Sequence, residues 1–102
     1  MIYRQGDVLF MQVKETATGQ SVPRQNGRLI IAEGEATGHA HAVLDLDAQL
    51  RTLEASGEMY LDAPAGATVV HEEHAPVALP AGTFRVIRQR EYTPTEIRRV
   101  LD

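Results

Sequence analysis

Cysteine and tryptophan are both absent from this chain of 102 residues. Without cysteine, the protein can have neither a disulfide framework nor a thiolate metal site. No apolar run approaches the ~20 residues that a membrane-spanning helix requires, and the N-terminus lacks the apolar core of a secretory signal. The sequence therefore predicts a cytoplasmic protein with a single domain and no membrane partner.

Positive charge is scarce over most of the chain. The net charge is −4, yet residues 83–102 hold five arginines against three acidic residues, so residues 1–82 carry −6. Proteins that wrap nucleic acid usually present a broad basic face, and this composition argues against such a partner. The opposite charges of body and tail favour self-association, and we expect a homo-oligomer, because a small sheet must also protect its edges. The alternative is that the charges only cover solvated faces.

Turn signals separate short apolar runs along the whole chain, which is typical of an all-β sandwich or barrel. Asn26-Gly27 predicts a hairpin, and two Pro-x-Gly corners, at 64–66 and 80–82, each lead into a strand. Over residues 1–102 we predict a small single-domain β-barrel or sandwich with seven or eight short strands. The strands are expected at 7–13, 28–33, 39–46, 49–54 (or a helical turn), 58–62, 68–73 and 84–92. A capping box at 93–96 predicts a short C-terminal helical turn, although a last strand would use the same apolar residues.

All four histidines occur in two tight pairs, His39-Ala40-His41 and His71-Glu72-Glu73-His74. On a strand, side chains two residues apart share a face, so both imidazoles of the first pair can converge on one ion. We expect His71 or His74 to approach that pair and complete a site for a divalent metal ion, whose identity the sequence does not give. The alternative for the second pair is a solvated charged loop.

A second unusual feature lies in the last predicted strand. Alternation puts one set of side chains on the same face: Phe84, Val86, Arg88, Arg90 and Tyr92. An arginine that faces inward needs a carboxylate or an anion, and Glu33, Glu35, Glu72 and Glu73 are the internal candidates. One hypothesis is therefore an anion-binding pocket. The other is a strand that leaves the barrel and exposes its second half, or pairs with a second subunit.

Residues 34–86 loosely resemble the cupins, β-barrel proteins whose metal lies between a strand with His-x-His and a later strand. The first cupin motif is approximated by Gly34, His39-Ala40-His41 and Asp45, with one residue fewer after the glycine and aspartate in place of glutamate. The second is approximated by Pro80-Ala81-Gly82, with Arg85 at the histidine position. The resemblance implies a cupin-like barrel.

The chain also resembles, almost end to end, a group of small uncharacterised bacterial and phage proteins. The shared segments are Arg4 to Val8, Gly34 to His41, His71 to Pro76 and Gln89 to Tyr92. This resemblance implies no activity.

Three functions follow from these residues. The first is a small metal-binding protein that uses the paired histidines. The second is a structural or self-assembling accessory protein, of phage or mobile-element type, without metal. The third is a metal-dependent hydrolase or oxygenase, in which Glu72 or Glu73 is the general base and metal-bound water the nucleophile. No substrate is indicated.

Overall fold

A computed structural model describes residues 1–14, 19–33 and 38–89 of the chain. Ten strands lie in these ranges. They are β1 (Ile2–Gln5), β2 (Val8–Val13), β3 (Gln20–Ser21), β4 (Leu29–Glu33), β5 (Ala40–Val43), β6 (Gln49–Thr52), β7 (Met59–Ala63), β8 (Ala67–Val70), β9 (Val77–Leu79) and β10 (Gly82–Arg88). None of the described segments is a helix with the length and apolarity needed to cross a bilayer.

The strands form two antiparallel sheets in a sandwich-like arrangement. The larger sheet has the order β1-β2-β10-β7-β6-β3, and the smaller one has the order β4-β5-β8-β9. The predicted all-β class is confirmed, and of the two predicted architectures the sandwich is the observed one, because the sheets do not close into a barrel. The cupin-like barrel was therefore wrong in its closure. The predicted terminal turn at 93–96 lies outside the described residues.

Alternating side chains from both sheets fill the space between them. Phe10 and Phe84 come from neighbouring strands of the larger sheet, and Val43 and Val69 face each other across β5 and β8. Other fully buried members of this core are Val8, Leu29, Leu50 and Leu61. This hydrophobic core packs the two sheets against each other. Polar side chains occupy one end of the sandwich.

Two tight hairpins have the backbone geometry that their sequences favour. Asn26 and Gly27 both have positive φ, at 53° and 79°, and Gln25 bridges to Arg28, which is the arrangement of a type I′ turn. The other hairpin, which is the first along the chain, joins β1 to β2 through Gly6 and Asp7, with φ of 59° at Gly6. This second turn was not predicted, and it brings Asp7 to the polar end of the sandwich.

Candidate functional site

The four histidines form one cluster at this end of the sandwich. The ring centroid of His71 lies 4.4 Å from that of His41, 4.6 Å from that of His74 and 5.8 Å from that of His39. The rings of His41 and His74 are nearly parallel, with centroids 5.8 Å apart. The structure therefore brings both sequence pairs together, and not only one histidine of the second pair.

Strand pairing explains this convergence. His41 lies in β5 and is two residues from the buried Val43, so it shares that residue's inward face. Val69 of β8 is paired with Val43, and His71 follows Val69 by two positions. His39 precedes β5, and His74 lies in the turn between β8 and β9. Both predicted strands are shorter than expected, because β5 ends at Val43 and β8 ends at Val70.

Gln5 and His41 are the buried polar side chains within the described ranges, with 2% and 3% of their surface exposed. The Gln5 Nε2 amide donates to the carbonyl oxygens of Val69, at 3.0 Å, and Ala75, at 2.9 Å. Its Oε1 therefore faces Nδ1 of His41 at 2.8 Å and can only accept. His41 consequently carries its proton on Nδ1, and its Nε2 atom presents a lone pair.

His39 is held in the same tautomer at the other side of the cluster. Its Nδ1 lies 3.0 Å from Oε1 of Glu73; an ionised carboxylate can only accept a hydrogen bond, so the neutral ring carries its proton on Nδ1 and the lone pair on Nε2. In many metal sites a ligating histidine donates its second ring N–H to an oxygen in this way. His39 and His41 thus both have the tautomer that metal ligation through Nε2 requires.

His71 has the opposite arrangement. Its Nδ1 accepts hydrogen bonds from the backbone N–H groups of Glu73, at 3.0 Å, and His74, at 3.4 Å. A neutral ring that accepts at Nδ1 carries its proton on Nε2. His71 therefore closes the His-Glu-Glu-His turn, and it has no lone pair left for an ion unless that turn opens.

Glu72 ties the two histidine segments to each other. Its Oε1 accepts a 2.9 Å hydrogen bond from the backbone N–H of Ala40 at the start of β5. This bond holds the pKa of Glu72 below its usual value, so the carboxylate is a weaker base than an ordinary glutamate. Glu73 contacts His39 and is mostly exposed. Both predicted general bases are thus at the cluster, and Glu72 has a clear positioning role there.

Asp7 is a candidate ligand that the sequence did not single out. Its Oδ1 lies 3.9 Å from Nε2 of His41, somewhat more than the ~3.4 Å that separates two ligand atoms of one tetrahedral ion with bonds of about 2.1 Å. Gly6 lets the hairpin approach this closely, because a Cβ atom there would lie 2.8 Å from Nε2 of His74. A glycine that opens a tight hairpin was the available signal for Asp7.

The donors do not yet share a common point. Within residues 1–14, 19–33 and 38–89, no three histidine or acidic side chains are already arranged to hold one metal ion. Rings bound to the same ion have centroids roughly 5 Å apart, given metal–nitrogen bonds of about 2.1 Å. The rings of His41 and His74 lie slightly farther apart than this, at 5.8 Å, and His39 approaches the cluster through His71, also at 5.8 Å. Side chains must therefore move before three nitrogen atoms can share one ion.

The burial of His41 gives a pH prediction for the metal-free protein. Burial, followed by repulsion from His71, lowers the pKa of His41 below 6.5. The unfolded chain therefore takes up a proton below about pH 6.5 that the folded protein refuses, and stability falls as the pH drops through that value. In chelator-treated protein, the free energy of unfolding should fall more steeply between pH 7.5 and 5.5 than in His41→Gln, by up to about 1.4 kcal/mol per pH unit. Equal slopes in urea titrations would contradict this assignment.

Comparison with other proteins identifies a family without identifying an activity. Searches of curated proteins and of solved structures give no match. A family model described as a domain of unknown function, DUF8820, matches residues 4–89. That range includes all four histidines together with Gln5 and Asp7, and it covers most of the chain. The protein belongs to the DUF8820 family.

Proposed function

We propose that this protein binds one divalent transition-metal ion at the histidine cluster. His39, His41 and His74 are the nitrogen ligands, and Asp7 supplies an oxygen. The observation that carries the proposal is that each of the four imidazoles, from two segments distant in sequence, lies within 5.8 Å of at least one other between ring centroids. Uncharged imidazole is the commonest metal ligand in proteins.

Two features of His41 support its role as the principal ligand. A lowered pKa keeps its ring neutral near pH 7, so an ion does not have to displace a proton from Nε2. The amide of Gln5 fixes the ring in the ligating tautomer from a buried position. Such an outer partner is the usual support of a metal-binding histidine.

The metal-free structural role remains a second candidate, and His71 is the observation in its favour. The contacts of that ring with the backbone of Glu73 and His74 stabilise a turn without any ion. Under that alternative, the cluster joins the hairpin turn, β5 and the 71–76 turn through hydrogen bonds alone. The expected homo-oligomer is compatible with either function and stays a prediction.

Calorimetric titration of tag-free, chelator-treated protein tests the proposal. We expect saturable 1:1 binding of Zn²⁺, Co²⁺ or Ni²⁺ at pH 7.5, and weaker binding as the pH falls through about 6.5, because protons compete for the ligands. Elemental analysis of freshly purified protein should show bound metal. If none of the three ions binds at tens of micromolar protein, the structural role is the correct one.

A further inference from the structure

Arg88 lies at the open edge of the histidine cluster. It ends β10 on the same face as Val86, as the sequence predicted, and its Nη2 atom lies 4.0 Å from Oδ2 of Asp7. The same nitrogen donates to the carbonyl oxygen of Glu33 at 3.3 Å. The carboxylates expected from the sequence were Glu33, Glu35, Glu72 and Glu73; Asp7, which was not among them, is a neighbour of Arg88, and Glu35 lies outside the described residues. The guanidinium group of Arg88 thus neighbours Asp7, which is itself a proposed ligand of the metal ion.

The cluster is buried on the side of His41 and open to solvent on the side of Arg88, His39 and Asp7. The side chain of His41 is 3% exposed, whereas those of Arg88, His39 and Asp7 are 26%, 28% and 38% exposed. A small molecule can therefore reach the exposed side of the cluster without any strand moving. The groups that it would meet first are an arginine, an imidazole and a carboxylate.

A second arginine shows what a closed guanidinium–carboxylate pair looks like in this protein. Arg51 holds Asp62 through two nitrogens, with Nε and Nη2 at 2.5 and 2.9 Å from the carboxylate oxygens. The contact of Arg88 with Asp7, at 4.0 Å, is longer than the 2.7–3.2 Å of an N–H···O hydrogen bond. The Asp7 carboxylate is therefore not held by Arg88 in the two-point geometry that Arg51 imposes on Asp62.

We propose that the metal-loaded site binds a small oxyanion, a carboxylate or a phosphate group, between the metal ion and Arg88. This inference rests on the metal binding proposed above. The proposed site uses four protein ligands, and divalent ions of this class accept further ligands from substrate or water. The planar fork of arginine matches two oxygens of one carboxylate or phosphate. One oxygen of the anion thus binds the metal, and the others accept hydrogen bonds from Arg88.

The surrounding charges make this binding depend on the metal. Among the described residues, the carboxylates of Asp7, Glu72 and Glu73 border the cluster and repel an anion, and they outnumber the one positive charge of Arg88. A divalent ion removes that excess of negative charge. The oxyanion is therefore expected to bind the metal-loaded protein and not the metal-free protein.

Cobalt-substituted protein provides the test, because the visible absorption of Co²⁺ responds to a change in its ligands. Acetate and inorganic phosphate are titrated separately at constant ionic strength, with chloride as the balancing salt. We expect a saturable spectral change, and a dissociation constant at least about tenfold weaker in Arg88→Gln. Arg88→Lys should lie between the two, because it keeps the charge and loses the fork.

Arg85→Gln is the matched control. Arg85 is on the same strand with a similar exposure of 19%, but it faces away from the cluster and pairs with Glu58 at 3.8 Å. Its anion affinity should stay within about twofold of the wild type. A response to only one of the two anions supports the proposal and identifies the ligand class.

Three outcomes would overturn it, and they are distinguishable. Failure of Co²⁺ to bind overturns both the metal site and the anion site. Binding of Co²⁺ without any response to either anion overturns the anion site alone. An equal response in Arg88→Gln and the wild type shows that the metal binds the anion without Arg88.

Discussion

Replacing Gln5 with leucine is expected to lower the free energy of unfolding by about 3–5 kcal/mol, as much as truncating a large core side chain. The amide of Gln5 makes three hydrogen bonds, to His41, Val69 and Ala75. Leucine fills the space and leaves each partner without its bond, and a polar group left unsatisfied in a protein interior costs about 1–3 kcal/mol. Urea unfolding of the metal-free protein measures the loss.

Gln12→Leu is the matched control for this substitution. Gln12 lies on the neighbouring strand β2, is exposed, and makes a single long bond of 3.5 Å to the carbonyl oxygen of Ala81. Its replacement should change the free energy of unfolding by no more than about 0.5 kcal/mol. A loss below about 1 kcal/mol for Gln5→Leu would mean that the buried network does not depend on this amide.

Gln5→Leu also tests whether Gln5 supports the metal site through His41. Loss of an outer partner of a ligating histidine usually weakens metal affinity by about 10–100-fold. Gln5→Leu should therefore weaken metal binding by that amount in the fraction that remains folded. An unchanged affinity would separate the role of Gln5 in stability from any role in binding.

Local patterns in the sequence predicted the parts of the site that depend on one strand. Period-two alternation placed Arg88 with Val86 on one face of β10. It also predicted that His39 and His41 share a strand face, but β5 begins at Ala40, so His39 lies just outside the strand. Both expectations need only the geometry of a single strand. The type I′ hairpin at Asn26-Gly27 is local in the same sense, because its two residues alone favour positive φ.

The rest of the site depends on contacts between distant segments, which alternation does not encode. Gln5 and Asp7 belong to the first hairpin, and their partners His41 and Val69 lie 34 or more positions further along the chain. The same alternation fits a barrel and a sandwich, so the closure of the sheet was not determined either. Strand β9, with three residues, carried too little pattern to be predicted.

The early end of β5 has a specific long-range cause. The sequence continues with apolar residues at Leu44 and Leu46, and it predicted a strand to residue 46. The side-chain carboxylate of Asp45 accepts a hydrogen bond from the backbone N–H of Thr68. The backbone carbonyl oxygen of Asp45 accepts another from the guanidinium group of Arg24. These two bonds turn the chain away from the sheet, and they leave Leu46 89% exposed.

Replacing His41 with glutamine is expected to raise the dissociation constant for the metal ion by at least about 100-fold. The substitution removes a direct ligand, so its effect should exceed the 10–100-fold that the loss of an outer partner causes. Glutamine occupies a similar volume, and far-UV circular dichroism should show that the β-sheet is retained. Calorimetric titration with Zn²⁺ at pH 7.5 measures the change.

Substitutions at His71 and His74 separate the ligands of the metal ion from residues that only neighbour it. His74→Gln removes a proposed ligand and should also weaken binding strongly. In His71→Asn, the side-chain oxygen can accept the N–H groups of Glu73 and His74 in place of Nδ1, because asparagine stabilises turns in this way. The turn is then kept while the imidazole is lost, and Zn²⁺ affinity should remain within about tenfold of the wild type, a smaller loss than that of a direct ligand. If His71→Asn abolishes binding and His74→Gln does not, the ion is held through His71, and the 71–74 turn must open when the metal binds.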